Sequence, residues 1–298
     1  MEKEKVFLVA GGDMRQLYGA NKLRSKYNKV YCIGFDKCYR TESFDRLIFI
    51  SDLTDMPCLA DYLLLPPVIL GETGNLNTPL SENELIITDI ISAVKPMGTA
   101  FGGRFSEKIQ GILKKKGIRP VDYLQNEVFN IRNAVPTAEG ALKIAIEQTD
   151  RTIRDSDVVI VGFGRIGKVL VKMFSDLGAN VTLAARSETD REYAALLGSK
   201  QAVPVTDICE YIKGNVVVLN TVPSICIDEN ALQNADSRCI IVDLASRPGG
   251  VDIAYAQEKG VRVIQAPGLP GKLSPVTAGE IIAETIAELL RSKGEGIE

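Results

Sequence analysis

The chain has 298 residues, of which 45% are hydrophobic and 24% charged, and its formal net charge at pH 7 is −3. This composition is typical of a globular protein with two domains of ordinary size, and it argues against nucleic acid or an anionic membrane as a partner. The sequence contains no histidine, which excludes imidazole acid–base chemistry, Ser-His-Asp and Cys-His catalysis, and histidine-ligated zinc. The six cysteines lack the spacing of a metal site, and no apolar segment is long enough to span a bilayer. We therefore expect no metal, no membrane partner and a cytoplasmic location.

The first half of the chain is predicted to be an α/β unit, because strand-like apolar segments alternate with helical patterns. Ser81-Glu82-Asn83-Glu84 has the pattern of a capping box that opens a helix toward Val94, and further helices are predicted over 13–27 and 105–116. Strands are predicted at 6–10, 30–34, 47–50, 62–65, 98–101 and 118–123. This alternation predicts a mostly parallel, doubly wound sheet.

The second half repeats the alternation after a crossover helix predicted over 139–148. A second capping-box pattern, Thr277-Ala278-Gly279-Glu280, predicts that the final helix begins at Thr277, and we expect this helix to pack back on the first domain. Six strands, which match two mononucleotide-binding halves, are predicted at 158–161, 181–185, 201–203, 216–220, 239–243 and 261–265. We therefore expect two doubly wound, parallel-sheet, Rossmann-like α/β domains, residues 1–136 with 277–298 and residues 137–276, with the site in the cleft between them.

The first strand of the second domain runs directly into a glycine-rich turn, Gly162-Phe163-Gly164-Arg165-Ile166-Gly167, which a helical pattern follows. In such a turn Gly162 makes the tight bend, Gly164 lets the backbone approach a pyrophosphate, and Gly167 lets the helix pack close to the strand. The amides and positive dipole of the helix N-terminus favour phosphate. The pattern predicts a dinucleotide site, and a strand–helix turn without a ligand is the alternative.

The end of the next strand indicates which cofactor binds. NAD-binding proteins usually have Asp or Glu there, which bonds the adenosine ribose hydroxyls. This chain has Ala185, followed by Arg186 and Ser187. A guanidinium and a hydroxyl bind the 2′-phosphate that a carboxylate would repel. The sequence therefore favours NADP over NAD, and a solvated loop charge is the alternative reading of Arg186.

Further polar turns follow the last three strands of the second domain, and open α/β sheets bind ligands at the carboxyl ends of their strands. The turns contain Asn220-Thr221-Val222-Pro223, Ala245-Ser246-Arg247 and Gly271-Lys272. We expect them to line the nicotinamide end of the cofactor site. The alternative is ordinary turn chemistry, because Gly, Pro, Asn and Ser are common in turns.

Cationic residues near predicted strand ends are candidates to bind a small anionic substrate, because guanidinium–carboxylate pairs fix its orientation. Arg104 and Lys272 are the first candidates, since glycine-rich turns hold them. Arg247 follows the fifth strand of the second domain, Arg15 follows the first strand of the chain, and Asn133 precedes the crossover helix. For each arginine taken alone, a surface charge is the alternative.

The whole chain, from Ala10-Gly11-Gly12-Asp13-Met14-Arg15 through the last helix, is similar to a known family, and the similarity rests on four segments. They are Pro136-Thr137-Ala138-Glu139-Gly140-Ala141, Val161 to Gly167, Asp243-Leu244-Ala245-Ser246-Arg247-Pro248-Gly249-Gly250-Val251-Asp252, and Gly268-Leu269-Pro270-Gly271-Lys272. On these segments the chain resembles the A subunits of bacterial dipicolinate synthase and, more distantly, D-2-hydroxyacid and alanine dehydrogenases. Those dehydrogenases often use a histidine, which this chain lacks.

The resemblance implies NADP-dependent oxidation of dihydrodipicolinate to dipicolinate, in the mother-cell cytoplasm of a spore-forming bacterium. It also implies a small dicarboxylate substrate and a partner, the flavoprotein-like B subunit, and we expect a homo-oligomer when the chain is alone. Two substrate carboxylates would require two cationic anchors, and an aromatic product lowers the need for a strong base. The alternatives are another NADP-linked oxidoreductase of a small carboxylate and a non-catalytic, NADP-binding regulatory subunit. The sequence does not indicate a general base.

Overall fold

The computed structural model describes residues 4–24, 28–38 and 44–292. These residues form two compact units, one with the residues up to 132 and from 274 onward, the other with residues 133–273. Each unit contains one parallel sheet whose two faces are both buried under apolar side chains. This is the doubly wound α/β class that the sequence predicts.

The first unit is built around a parallel sheet that the predicted strands form. Its elements are β1 (Lys5–Ala10), α1 (Met14–Leu23), β2 (Asn28–Ile33), β3 (Ile48–Phe49), β4 (Ala60–Leu64), α2 (Ile87–Ser92), β5 (Val94–Gly102), α3 (Glu107–Lys115), β6 (Arg119–Asp122) and the first part of α4 (Glu127–Gln148). Among the described residues the strand order is β3-β2-β1-β4-β5-β6.

The second unit follows α4 and has the same plan. Its elements are β7 (Asp157–Val161), α5 (Arg165–Asp176), β8 (Asn180–Ala184), α6 (Glu188–Leu196), β9 (Gln201–Val203), β10 (Val216–Asn220), β11 (Ile240–Asp243), α7 (Ile253–Glu258), β12 (Arg262–Gln265) and α8 (Leu269–Leu273), after which α9 (Pro275–Arg291) returns to the first unit. The strand order is β12-β11-β10-β7-β8-β9.

Both sheets therefore have the strand order of a dinucleotide-binding fold. In this order the first three strands are added in one direction across the sheet, and the next three are added in the opposite direction, starting beside the first strand. The reversal lies between β1 and β4 in the first unit and between β7 and β10 in the second. In open α/β sheets, ligands bind at the carboxyl ends of the strands at such reversal points. The turns that follow β1 and β7 are therefore the places where this fold favours a ligand.

The C-terminal helix packs against the first unit. Helices α1 and α9 cross at a pair of glycines, where a Cβ added to Gly279 would lie 2.8 Å from the backbone nitrogen of Gly19. Buried Ile282, Ile286 and Leu290 of α9 join the apolar cluster that covers one face of the first sheet. Close approach of the two helix backbones lets this apolar face reach the sheet.

Both predicted capping boxes are wrong. The hydroxyl of Ser81 accepts from the backbone N–H of Asn83, 3.0 Å away, so it closes a turn, and α2 begins later, at Ile87. Helix α9 begins at Pro275, two residues before the predicted start, because a proline at the first helical position has no N–H that needs a capping partner.

The bounds of two other predicted helices also differ. Helix α4 begins at Glu127 and continues through Pro136, whose missing N–H removes one hydrogen bond without ending the helix. The helix predicted over 13–27 ends at Leu23, and residues 25–27 lie outside the described residues, as do residues 293–298.

Candidate nucleotide-binding site and substrate-binding residues

A groove of about 530 Å³ opens at the carboxyl end of the second unit's sheet, beside the N-terminus of α5. Three segments supply most of its lining, the turn after β7, the turn after β8 and the segment after β10, and Val205 after β9 adds to it. The lining residues are Gly162, Phe163, Gly164, Ala185, Arg186, Ser187, Asp190, Val205, Thr221, Val222, Pro223, Ser224, Ile225 and Cys226. The groove thus contains most of the residues predicted to bind the cofactor.

The three glycines of the turn differ in what their missing side chains permit. Gly162 has φ +94°, and a Cβ there would lie 2.5 Å from the Thr221 hydroxyl. A Cβ on Gly167 would collide with the carbonyl oxygen of Gly162, so this glycine allows the helix to approach the strand. Gly164 caps α5, and no atom lies within 4 Å of its missing Cβ. Its bare backbone leaves open space in front of the helix N-terminus, where a phosphate is favoured.

The residues between the glycines of this turn, Phe163, Arg165 and Ile166, lie in different environments. Phe163 lines the groove but is only 7% exposed, and the Lys168 ammonium lies 5.5 Å from its ring centroid. Arg165 is exposed at the start of α5, and Ile166 packs against the apolar core. The structure does not place Arg165 and Ile166 among the groove-lining residues.

Arg186 and Ser187 follow β8 on one side of the helix N-terminus. Arg186 is exposed, and no hydrogen bond or ion pair engages its guanidinium within the described residues. The Ser187 hydroxyl accepts from the backbone N–H of Asp190 at 3.3 Å and caps α6. A hydroxyl that accepts this bond still has its own proton to donate to an anion.

Two residues next to this turn, Asp190 and Arg191, belong to the site but were not predicted from the sequence. The Arg191 guanidinium donates to the carbonyl oxygens of Ala185 and Arg186, at 2.9 and 3.0 Å, and so holds the turn from below. Asp190 also lines the groove. Its signal in the sequence is the Ser187-x-x-Asp190 spacing, which is a capping-box pattern and predicts a helix start more directly than a ligand contact.

The segment after β10 forms the opposite wall of the groove. The hydroxyl of Thr221 donates to the carbonyl oxygen of Val161 at 2.8 Å, which ties this wall to the end of β7. Val222 and Pro223 follow on the groove surface. The half-buried thiol of Cys226 lies there too, and burial raises its pKa to about 11, with a further contribution from Asp243. At neutral pH this thiol is protonated.

Asn220, predicted to contact the cofactor, lies beneath the groove and is fully buried. Its amide nitrogen donates to Asp243 Oδ1 at 2.8 Å and to the Val222 carbonyl at 3.0 Å, and its oxygen accepts from the Val222 N–H at 3.1 Å. These bonds use the amide to shape the turn, so the structure assigns it a supporting position.

The turn after β11 holds Ala245, Ser246 and Arg247. Ala245 is half-buried, and its N–H donates to the Asp243 carboxylate at 3.2 Å. Ser246 and Arg247 are exposed, and the Ser246 carbonyl accepts from Gly249 at 3.0 Å. These three residues lie at a strand end next to β10 but outside the groove lining.

In the first unit, Arg104 follows β5 in an unusual backbone conformation. Its φ is +50°, which is costly for a residue with a side chain. Its N–H donates to Asp122 Oδ2 at 3.0 Å, and Asp122 Oδ1 accepts from Leu124 at 2.9 Å. The side chain itself is exposed. A fixed backbone with an exposed guanidinium at a strand end is a geometry suited to anion binding.

Arg15 follows β1, the strand beside the winding reversal, but its guanidinium is already paired. It donates to both oxygens of Asp13, with the Nη2–Oδ2 distance 2.7 Å. Because of this pairing, Arg15 has fewer donors left for a substrate than Arg104. Nearby, the buried Tyr123 hydroxyl donates to the Leu65 carbonyl at 3.2 Å, and burial raises the pKa of this phenol above its ordinary value.

The other predicted substrate residues, Lys272 and Asn133, lie on helices of the second unit. Lys272 is exposed on the short helix α8, in the second unit. Asn133 lies within α4, where its carbonyl accepts from the Thr137 hydroxyl at 2.8 Å. The neighbouring Arg132 is engaged by Glu288 of α9 at 3.0 Å, which gives it a role in attaching α9.

Both halves of the chain are similar to known proteins. Residues 6–124 match the family model of the N-terminal domain of the dipicolinate synthase A subunit, and residues 143–270 match the shikimate/quinate 5-dehydrogenase model. The A subunit of dipicolinate synthase from Bacillus subtilis (strain 168) is 32% identical over 286 residues, which cover 95% of this chain and 94% of the relative. The chain belongs to the dipicolinate synthase A-subunit family.

Solved structures agree with this family. The crystal structure of the dipicolinate synthase A subunit from Bacillus halodurans matches with a TM-score of 0.86 and 29% identity, over 97% of this chain and 99% of that one. A transhydrogenase from Sinorhizobium meliloti matches with a TM-score of 0.73 at 15% identity, over 98% and 95% of the two chains. The second likeness shows that the dipicolinate synthase A-subunit family shares its fold with a transhydrogenase.

The described part of the chain contains neither a metal-binding cluster nor a membrane-spanning helix. Within residues 4–24, 28–38 and 44–292, no group of three or more His, Cys, Asp or Glu side chains is arranged to hold a metal ion. None of the helices in that part of the chain has the length and apolar character needed to cross a membrane.

Proposed function

We propose that this member of the dipicolinate synthase A-subunit family is an NADP-dependent oxidoreductase that converts dihydrodipicolinate to dipicolinate during sporulation, in the mother-cell cytoplasm. The observation that carries the proposal is the groove at the N-terminus of α5, which joins an open phosphate position at Gly164 to the unpaired guanidinium of Arg186 within the described residues. Membership of the family supplies the substrate class.

The preference for NADP rests on the turn after β8. Arg186 and the Ser187 hydroxyl both line the groove, and a 2′-phosphate offers them charge-assisted hydrogen bonds. Asp190, which also lines the groove, would oppose a phosphate that came close to it. NADP binding therefore requires the phosphate to lie on the Arg186 side of the turn.

The groups proposed to hold the substrate carboxylates are Arg104 and Lys272, with Arg247 and Arg15 next. Arg104 and Lys272 are both exposed and follow the carboxyl ends of strands. Oxidation removes a hydride and a proton from dihydrodipicolinate, and NADP accepts the hydride when it is bound. The product is aromatic, so the reaction is downhill and needs only weak proton acceptance, which suits a site without histidine.

The assembly is also part of the proposal. The family relatives are A subunits, which supports the B subunit of the synthase for the role of partner, and we propose a homo-oligomer for the chain alone. A non-catalytic, NADP-binding regulatory role and an oxidoreductase acting on another small carboxylate are the competing functions.

A single assay separates these functions. The purified chain is mixed with NADP and dihydrodipicolinate, with and without the B subunit, and reduced cofactor is followed by absorbance while direct titration measures NADP binding. We expect reduced cofactor and dipicolinate in equal amounts. NADP binding without turnover in either mixture would indicate a regulatory role, and turnover only with a different carboxylate would indicate another oxidoreductase.

A further inference from the structure

A buried carboxylate lies directly beneath the β10 wall of the groove. Asp243 is the last residue of β11, is 3% exposed, and pairs in register with Asn220 at the end of β10. All the groups that bond it within the described residues are N–H donors. Asn220 donates to Oδ1 at 2.8 Å, Ala245 donates to Oδ1 at 3.2 Å, and Gly250 donates to Oδ2 at 3.0 Å.

No cation in the described part of the chain balances this charge. Asp243 forms no ion pair there with a lysine or arginine, and Arg247, in the turn that follows, is exposed. Burying a carboxylate is costly unless a cation or several hydrogen bonds compensate it. Three neutral donors hydrogen-bond this carboxylate but bring no opposite charge to it.

The charge of Asp243 acts on the groove wall. Cys226 lines the groove, its thiol contacts Asn220 Oδ1 at 3.6 Å, and Asp243 adds to the rise in its pKa that burial causes. Two consecutive hydrogen bonds, from Cys226 to Asn220 and from Asn220 to Asp243, therefore separate the groove wall from this carboxylate, which is close enough for its charge to act on a charged group in the groove.

The position of this charge relative to a bound dinucleotide follows from the fold. The pyrophosphate belongs at the N-terminus of α5 and the adenosine half beside Arg186, after β8. The other half must then lie toward β10 and β11, above Asp243. That half carries the nicotinamide, whose ring is a cation when oxidised and neutral when reduced.

We infer that Asp243 is a specificity-determining residue that favours the oxidised over the reduced nicotinamide cofactor. The inference rests on the proposed binding of such a cofactor. It adds a function that hydrogen bonding alone would not give, since bonds that merely shape the two turns affect both oxidation states equally. For a separation of several ångströms at an intermediate effective dielectric constant, the preference amounts to roughly tenfold in relative affinity.

The test measures dissociation constants for NADP+ and NADPH in the wild type and in Asp243→Asn, by calorimetry and cofactor fluorescence. We expect Asp243→Asn to raise the ratio Kd(NADP+)/Kd(NADPH) about tenfold. The matched control is Asp157→Asn. Asp157 accepts from Asn180 at 3.0 Å across neighbouring strands of the same sheet, but at the opposite, amino-terminal end. The control removes the same charge and should leave the ratio unchanged.

Each outcome has one meaning. Equal weakening of both oxidation states in Asp243→Asn would reduce Asp243 to a structural tie and overturn the inference while leaving cofactor binding intact. Failure of the wild type to bind either dinucleotide would overturn the proposed function as well. If Asp243→Asn does not fold, the relative affinity of the wild type for NADP+ and NADPH tests the inference instead. It should bind NADP+ at least as tightly as NADPH, and a preference for NADPH of more than about tenfold would refute the role.

Discussion

Polar side chains at the strand ends of one sheet have different environments in this protein, although the sequence makes them look alike. Arg186 and Asn220 both lie at the ends of β-strands of the second unit and are both polar. Arg186 lines the groove without a partner among the described residues, whereas Asn220 is fully buried and bonds to Asp243 and Val222. The first is therefore available to a ligand, and the second is not.

Cofactor preference is the first consequence of this difference. Replacing Ala185 with Asp and Arg186 with Gln should weaken NADP binding by ten- to a hundredfold, because one charge-assisted contact is typically worth about 1.5–3 kcal/mol. NAD binding should be retained or improved. Titration of both dinucleotides measures this, with Lys172→Gln as the control, since Lys172 pairs with Asp176 on α5 away from the groove. Wild-type protein that binds NAD as tightly as NADP would show that Arg186 is only a surface charge.

A second prediction at the scale of single residues concerns how the substrate is bound. Arg104→Ala and Lys272→Ala should each fold and bind NADP normally but lose at least about tenfold in kcat/KM, because each removes a charge-assisted contact to a carboxylate. Arg154→Ala is the control, since the Arg154 side chain is 80% exposed beside Asp155. Steady-state kinetics and NADP titration separate the roles. Loss of NADP binding would indicate a cofactor role, and full activity in both variants would direct attention to Arg247 and Arg15.

The helices show how backbone contacts override local signals. Ser81-Glu82-Asn83-Glu84 has a capping-box pattern, but its serine closes a turn and α2 begins later. In contrast, Gly279 lies inside α9, where a glycine lowers helix propensity, and it is the residue at which α9 meets α1. The contact between helices therefore explains a residue that propensity alone would disfavour.

This contact predicts opposite effects for two similar substitutions. A Cβ on Gly279 would lie 2.5 Å from the Arg15 carbonyl oxygen, so Gly279→Ala should destabilise the protein by about 1–3 kcal/mol. Gly111, inside α3, has no atom within 4 Å of its missing Cβ. Gly111→Ala should stabilise by about 0.5–1 kcal/mol through helix propensity. Equilibrium urea unfolding measures both, and stabilisation by Gly279→Ala would mean that the two helices separate easily.

Across the chain, two sheets with the same strand order enclose several thiols that the fold keeps protonated. Cys32 and Cys239 are buried in strands or beside them, and burial raises the pKa of both thiols, that of Cys239 to about 12 from an ordinary value of 9.0. These residues pack as small apolar side chains. Burial likewise raises the pKa of Cys226, in the groove wall, to about 11.

These shifts predict loss of stability at alkaline pH. A folded-state pKa above the unfolded value means that the stabilisation is complete below about pH 9 and is lost as the pH rises toward 11–12. Each such thiol lowers the unfolding free energy by up to about 1.4 kcal/mol per pH unit in that window. Cys239→Ala should flatten this decline, measured by urea unfolding under reducing conditions, with exposed Cys58→Ala as the control. Parallel curves for Cys239→Ala and the wild type would contradict the prediction.

Much of the fold and part of the site follow from the sequence because their signals are local. All the predicted strands are present, since buried parallel strands are continuous apolar runs, and the Gly162–Gly167 turn lies at the N-terminus of α5, since a strand, three spaced glycines and a helix are contiguous in the chain. The absence of histidine likewise excludes imidazole acid–base catalysis and histidine-ligated zinc from the sequence alone.

Tertiary structure decided which polar residues reach the groove. Asn220 and Asp243 are 23 positions apart, and only their pairing across β10 and β11 buries both beneath the wall that Thr221 and Val222 form. The left-handed backbone of Arg104 depends on Asp122, 18 positions away. Hydrogen bonds between distant residues determine where such side chains point, because a local pattern specifies a strand end but not the partners that the neighbouring strands bring to it.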